Sequence, residues 1–103
     1  GGFGPWMVTT DELPDISKQT IATRLNGVEV QAAPISDLVF DTATLIAYCS
    51  TFMTLMPGDV ITTGTPPGVG LGMKPPKFLK AGDVMSLGIE GLGEQKQSVF
   101  AWR

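Results

Sequence analysis

Thr62, Thr63 and Thr65 stand within four residues of one another at the mouth of a segment, Thr62–Gly72, that holds four glycines and two prolines in eleven positions. A threonine hydroxyl donates one hydrogen bond and accepts two. Glycine lets a backbone come close to a ligand, and proline fixes the path of the chain. Free backbone N–H groups beside hydroxyls suit a carboxylate or an enolate oxygen. The same composition also describes a turn-rich connector between strands, since Gly and Pro punctuate turns. Thr65 separates the two readings. Thr62 and Thr63 continue a strand, where β-branched side chains are favoured for packing alone. Thr65 lies past the strand, between Gly64 and Pro66, where branching serves no packing.

Other chemistry is narrowed by what the chain lacks. It has no histidine, hence no Ser-His-Asp triad, no imidazole base and no His-ligated zinc. Of its ten carboxylates, the only close groups are Asp11-Glu12, Asp37 and Asp41, whereas a hard cation needs several converging oxygens. Asp11-Glu12 falls in a polar loop. Asp41 suits a helix N-cap. Asp59 and Asp83 each follow glycine in a turn, where side-chain bonds to the backbone explain them. Asp37 fits a structural hydrogen bond. The single cysteine, Cys49, sits in a predicted helix and reads as a small buried hydrophobe rather than a nucleophile. No catalytic residue and no metal ligand is therefore expected within this chain.

The elements that must position the threonine loop follow from pattern and turn chemistry. Trp6–Thr10 reads as a short strand and Asp11–Lys18 as a surface loop. Thr20–Leu25 alternates, with Ile21, Thr23 and Leu25 on one face. Asn26-Gly27 is a strong type I′ hairpin signal, Val28–Gln31 the returning strand, and Pro34 its end. A helix runs from an Asp41 cap to about Thr54, with an apolar stripe of Leu45, Tyr48, Cys49, Phe52 and Met53 that reads as core. Val60–Thr63 and Val84–Ile89 read as strands introduced by Gly-Asp turns, and Glu94–Trp102 as the last strand. The sum is one unit of five to seven strands and one helix, without a linker or low-complexity segment.

Composition agrees. A chain of 103 residues that is 43% hydrophobic, with 13 Gly and 8 Pro, fits a loop-rich β or α+β chain rather than a disordered one. Seven basic residues against ten acidic ones, unclustered and with net charge −3, argue against a nucleic-acid partner. One cysteine excludes an internal disulfide and fits a reducing, cytoplasmic setting. No apolar run approaches the roughly 20 residues of a membrane span. The opening Gly1-Gly2-Phe3-Gly4-Pro5 reads as mid-loop, as in a fragment, and not as a signal peptide.

Six blocks in order carry a resemblance over nearly the whole chain. Gly4-Pro5-Trp6, Val8-Thr9 and Asp11-Glu12 open it. Arg24-x-Asn26-Gly27 with Val30-Gln31 and Ser36–Phe40 follow, then Leu45-Ile46-Ala47-Tyr48. Next come Phe52–Leu55 with Pro57–Ile61 and Thr63-Gly64-Thr65-Pro66. Lys80-x-Gly82-Asp83-Val84 and Ile89-x-Gly91-x-Gly93 close it. Together they resemble the C-terminal half of the catalytic domain of the fumarylacetoacetate hydrolase family. The resemblance implies a mainly β, α+β fold: a mixed-sheet roll or sandwich with one amphipathic helix, residues 1–103 being one unit that lacks the metal-ligand half.

It also implies a metal-dependent hydrolase, isomerase or decarboxylase acting on small 2-oxo or 2-hydroxydienoic dicarboxylic acids. Mg2+, Mn2+ or Ca2+ would be held by a Glu-x-Glu pair and an Asp upstream, beside a catalytic Lys, and none of these has a match here. What does match is the substrate side. Thr65 would bind a carboxylate or carbonyl oxygen, Gly64 would allow close approach, and Gln31 lies in a block that lines the pocket in some members. A half-domain with unpaired sheet edges is expected to form a dimer or tighter assembly. The alternative is a non-catalytic β module that oligomerises or complements a partner half.

Overall fold

Two hairpins lie side by side to make one four-stranded sheet; the computed structural model describes residues 2–102. β1 (Thr20–Leu25) and β2 (Val28–Pro34) form the first hairpin, β3 (Val84–Ile89) and β4 (Gly93–Ser98) the second. The order across the sheet is β2-β1-β3-β4. Asn26 and Gly27 have φ of 51° and 82°, the positive values that a two-residue type I′ turn demands at both positions. α1 (Thr42–Phe52) is the single α-helix among the described residues, and Asp41 caps it by accepting the Thr44 N–H at 2.8 Å.

The α+β class therefore stands, one sheet with one helix. All three pairings in the sheet are antiparallel; within each hairpin the loop is too short for the crossover a parallel pair needs. Three of the expected strands are corrected. Trp6–Thr10 and Val60–Thr63 are extended or turn segments and not strands. A strand needs a ladder partner, and neither segment has one; Val60 is 63% exposed. The opening segment is tied to β4 through a side chain instead, the Gln95 amide donating to the Gly4 carbonyl at 2.6 Å. Finally, β4 stops at Ser98, where its ladder runs into the turn before β3: Val99 N–H bonds Asp83 O and Gly82 N–H bonds Val99 O, each at 2.9 Å.

The helical stripe is not core here. Leu45 and Cys49 are half-buried, whereas Tyr48, Phe52 and Met53 are exposed. Tyr48 and Phe52 meet edge to face, with centroids 5.0 Å apart. Among the described residues no apolar side chain is fully buried, and Asp83 is the one buried polar residue. The radius of gyration, 15.6 Å, exceeds the roughly 13 Å of a compact domain of this length. Large apolar side chains such as Phe40, Tyr48 and Phe52 are exposed.

The two faces of the sheet differ. Ile21, Thr23 and Leu25 of β1 lie beside Met85, Leu87 and Ile89 of β3, and the other face carries Ala22, Arg24, Ser86 and Gly88. One irregularity sets which β2 residues join the apolar face. Leu25 pairs with Val28, so a regular two-residue hairpin would set Val30 opposite Thr23. Instead the register slips between Thr23 and Arg24, and Thr23 pairs with Gln31. A one-residue slip moves a side chain to the opposite face. The bulge at Val30 thus puts Gln31 on the same face as Thr23 and Ala33.

Candidate functional site

On that face Gln31 meets the threonine loop. Its side-chain Nε2 donates to Thr65 Oγ1 at 2.8 Å and to the Pro66 carbonyl at 2.8 Å. A carbonyl only accepts, so Pro66 fixes the amide with its NH2 toward the loop, and both amide hydrogens are engaged. Thr65 itself is exposed. Its oxygen accepts from Gln31, and its own hydrogen remains to be donated. Gly64 has φ +98°, and nothing lies within 4 Å of where its Cβ would be. The backbone beside Thr65 is thus both left-handed and open, a combination only glycine supplies without strain. Thr62 and Thr63 are exposed in the extended approach to the loop.

Two further glycines of the loop face the protein. A Cβ on Gly68 would lie 2.0 Å from Val30 O, and one on Gly70 1.8 Å from Lys77 O. Their close approach is loop against sheet and loop against loop, and Lys77 N–H bonds Gly70 O at 2.9 Å. Beneath them a groove of about 300 Å³ separates the loop from the sheet, lined by Thr23, Leu25, Gln31, Met73, Phe78 and Met85 among others. Gln31 belongs to this lining and fastens Thr65 beside it. Expected site residues Thr65, Gly64 and Gln31 thus come together in space, although 34 positions separate Gln31 from Thr65.

The acidic residues go elsewhere. Asp59 Oδ2 accepts Met56 N–H at 2.8 Å, and Asp83 Oδ2 accepts Lys80 N–H at 3.0 Å, the turn bonds expected of both. Asp83 also accepts Asn26 Nδ2 at 3.0 Å, and Asn26 Oδ1 accepts Val84 N–H at 2.9 Å. The Asn26 amide, and then the Lys80 N–H, hold the Asp83 carboxyl below the ordinary aspartate pKa. Sequence reading found each of these turns separately and missed their union; the adjacency of an Asn-Gly and a Gly-Asp turn becomes visible only once β1 pairs with β3. Asp11 takes a hydrogen bond from the Thr9 hydroxyl, which draws its pKa down. Asp37 is exposed at the end of a 3-10 turn, Ile35–Asp37. Among the described residues no three of His, Cys, Asp and Glu gather as a cation site. The groups that meet at Thr65 are a hydroxyl, a side-chain amide and a backbone carbonyl, whereas a hard divalent cation takes carboxylate oxygens among its ligands.

A loop of Thr-Gly-Thr-Pro pinned by a glutamine on an adjacent strand is the local frame of the site, and the chain that carries it has known relatives. Residues 1–100 match the family described as fumarylacetoacetate (FAA) hydrolase C-terminal. The chain belongs to the fumarylacetoacetate hydrolase family. A solved fumarylacetoacetate hydrolase of the psychrophile Exiguobacterium antarcticum superposes with a TM-score of 0.92 at 44% identity, over 97% of this chain and 36% of its own. The maleylpyruvate hydrolase of Sphingobium sp. SYK-6, solved in complex with manganese(II) and pyruvate, gives 0.84 at 38% identity, over 94% of this chain and 34% of its own. A Burkholderia cenocepacia protein provisionally named a hydrolase is 58% identical over 99 residues, 95% of this chain and 35% of its length. The chain spans about a third of the length of the curated relatives it matches. Family neighbours include hydrolases and isomerases, among them a 2-hydroxyhepta-2,4-diene-1,7-dioate isomerase of Mycobacterium marinum. Among the described residues no helix is long and apolar enough to cross a membrane.

Proposed function

We propose that this chain, residues 1–103 as one unit, is the substrate-oxygen-binding portion of a metal-dependent hydrolase, isomerase or decarboxylase. Its substrates are small 2-oxo or 2-hydroxydienoic dicarboxylic acids of the kind met in aromatic breakdown, and its setting is cytoplasmic. The observation that carries this reading is the exposed Thr65 hydroxyl, pinned by Gln31 and flanked by open, left-handed Gly64. A ligand oxygen approaching Gly64 meets a donor already oriented, which is what stabilisation of a carboxylate or developing enolate requires. The cation, Mg2+, Mn2+ or Ca2+, is assigned to residues outside this chain. Residues 1–103 alone are expected to turn nothing over.

The test uses the full-length polypeptide loaded with Mn2+ and assayed on maleylpyruvate and on 2-hydroxyhepta-2,4-diene-1,7-dioate. Thr65→Val keeps the shape and removes the donor. A fall in kcat of about 10²–10³ means that the hydroxyl meets charge developing in the transition state. A raised KM at constant kcat means that it meets a ground-state carboxylate. Unchanged kinetics with a small change in stability would reduce the loop to a connector and overturn the reading.

Association is the second part of the proposal. The exposed apolar residues Phe40, Tyr48 and Phe52 and the free edges of β2 and β4 favour a homodimer or higher assembly. The same features support the rival reading, a non-catalytic β module that oligomerises or complements a partner half. Light scattering on the full-length protein decides the first point, a clean dilute monomer counting against association. The activity assay above decides between enzyme and module.

A further inference from the structure

We infer that Gln31 is a positioning residue that sets the polarity of the site: it makes Thr65 a donor, and so selects ligands that present an oxygen acceptor. This rests on the reading of Thr65 as the ligand-binding hydroxyl. An isolated threonine hydroxyl has no fixed polarity, because its hydrogen rotates toward any acceptor in reach. Here the side-chain group bonded to it, Gln31 Nε2 at 2.8 Å, has no lone pair to offer. The hydroxyl hydrogen therefore has no reason to turn inward and is left on the exposed side. Rotating the amide by half a turn would present Oε1 to Thr65 and draw that hydrogen inward. The Pro66 carbonyl, 2.8 Å from Nε2, forbids this, since Oε1 would then face a second acceptor. The backbone of the loop thus holds the amide, and the amide holds the hydroxyl.

With both amide hydrogens engaged, Gln31 has only its Oε1 acceptor left and cannot itself donate to a carboxylate. Its role is exerted through Thr65 and not by direct contact with an anion. A chain of donors polarises along its length, so the outward Thr65 hydrogen is a stronger donor than a free hydroxyl.

The experiment measures binding of maleate, a small dicarboxylate, to the full-length protein loaded with Mn2+. It compares wild type, Thr65→Val, Gln31→Met, the double variant and Gln31→Glu, with thermal unfolding as the check on folding. Thr65→Val should weaken maleate by about tenfold or more, the worth of a hydrogen bond to a charged group. Gln31→Met should weaken it severalfold, and in the Thr65→Val background it should cost nothing further, because its effect passes through that hydroxyl. Gln31→Glu is near in shape and opposite in polarity. The introduced carboxylate would take the Thr65 hydrogen, so affinity should fall at neutral pH. It should recover as the pH drops and the new carboxyl regains a proton to donate. Additive losses from Gln31→Met and Thr65→Val, or a Gln31→Glu affinity with the same pH dependence as wild type, would overturn the inference while leaving Thr65 in place. An unchanged maleate affinity in Thr65→Val together with unchanged kcat and KM would instead sink the underlying reading of the loop, and a fallen kcat at unchanged affinity moves the same double-variant comparison onto kcat.

Discussion

The same turn occurs twice in this protein and leads to two different outcomes. In Met56–Asp59 and again in Lys80–Asp83 the aspartate side chain accepts the N–H three residues back, and its own N–H bonds the carbonyl of that residue at 3.1 Å. The glycines between have φ of 95° and 94°. After Asp83 the chain enters β3, flanked on both sides by β1 and β4. After Asp59 it runs extended without a partner and becomes the threonine loop. Turn chemistry is local, but a strand exists only where neighbours complete its ladder. The loop is held by other means: one side-chain amide and two glycines that admit close backbone approach. Irregular backbone fixed by a rigid scaffold is the usual place for a binding group.

Breaking the means by which the loop is held should have the largest effect. In Gly70→Ala the new Cβ falls 1.8 Å from the Lys77 carbonyl, so the loop must shift. A loss of about 2–3 kcal/mol is expected, read as lowered thermal stability of the full-length protein and as faster hydrogen exchange at Lys77. Removing the tie between the second turn and the hairpin comes next. Asn26→Gly keeps the positive φ and deletes two side-chain hydrogen bonds, a cost of about 2 kcal/mol at about 1 each. Exchange at Val84 should accelerate while exchange at Met56, in the first turn, holds constant.

Local equivalence of the two turns is tested by Gly58→Ala and Gly82→Ala. Both positions are left-handed and neither Cβ meets an atom within 4 Å. Each substitution should therefore cost a similar 1–2 kcal/mol of backbone strain, roughly. Unequal costs would show that the sheet already strains or relieves one turn. The smallest effect is a titration. Asp83 has its pKa depressed by the Asn26 amide first and the Lys80 N–H second. A depressed carboxylate contributes stability that is fully present above its unfolded pKa, about 3.9, and is lost as the pH falls through the lower folded value. Exchange at Lys80 should thus gain an acid-side acceleration below about pH 4, and Asp83→Asn should remove that acid dependence.

Much of this was legible in the sequence because it depends on neighbours within a few residues. Asn26-Gly27 dictated a type I′ turn, Asp41 an N-cap, and the two Gly-Asp steps their turns, since each is a short-range contest between backbone conformation and side-chain hydrogen bonding. Thr65 stood out because a β-branched residue between Gly64 and Pro66 had no strand to serve. The strands at Trp6–Thr10 and Val60–Thr63 did not materialise, since alternation and branching favour a strand without supplying its partner. The apolar stripe of α1 likewise has no packed neighbour that buries it among the described residues, because periodicity names a face and not what covers it.

Only the tertiary structure decided that Gln31 and Thr65 meet. The Asn26-Gly27 turn by itself sets a register in which Val30 lies opposite Thr23 and Gln31 points to the other face of the sheet. One extra residue at Val30 reverses this, and no local propensity marks where that residue falls. The bulge sits where Gly68 comes against the Val30 carbonyl, so packing of a loop nearly forty positions away accompanies the change of register. The sequence supplied a hydroxyl, an amide and a glycine free to take a left-handed backbone. Their convergence depends on a long-range contact, whose free energy belongs to the whole sheet and is absent from any window of the chain.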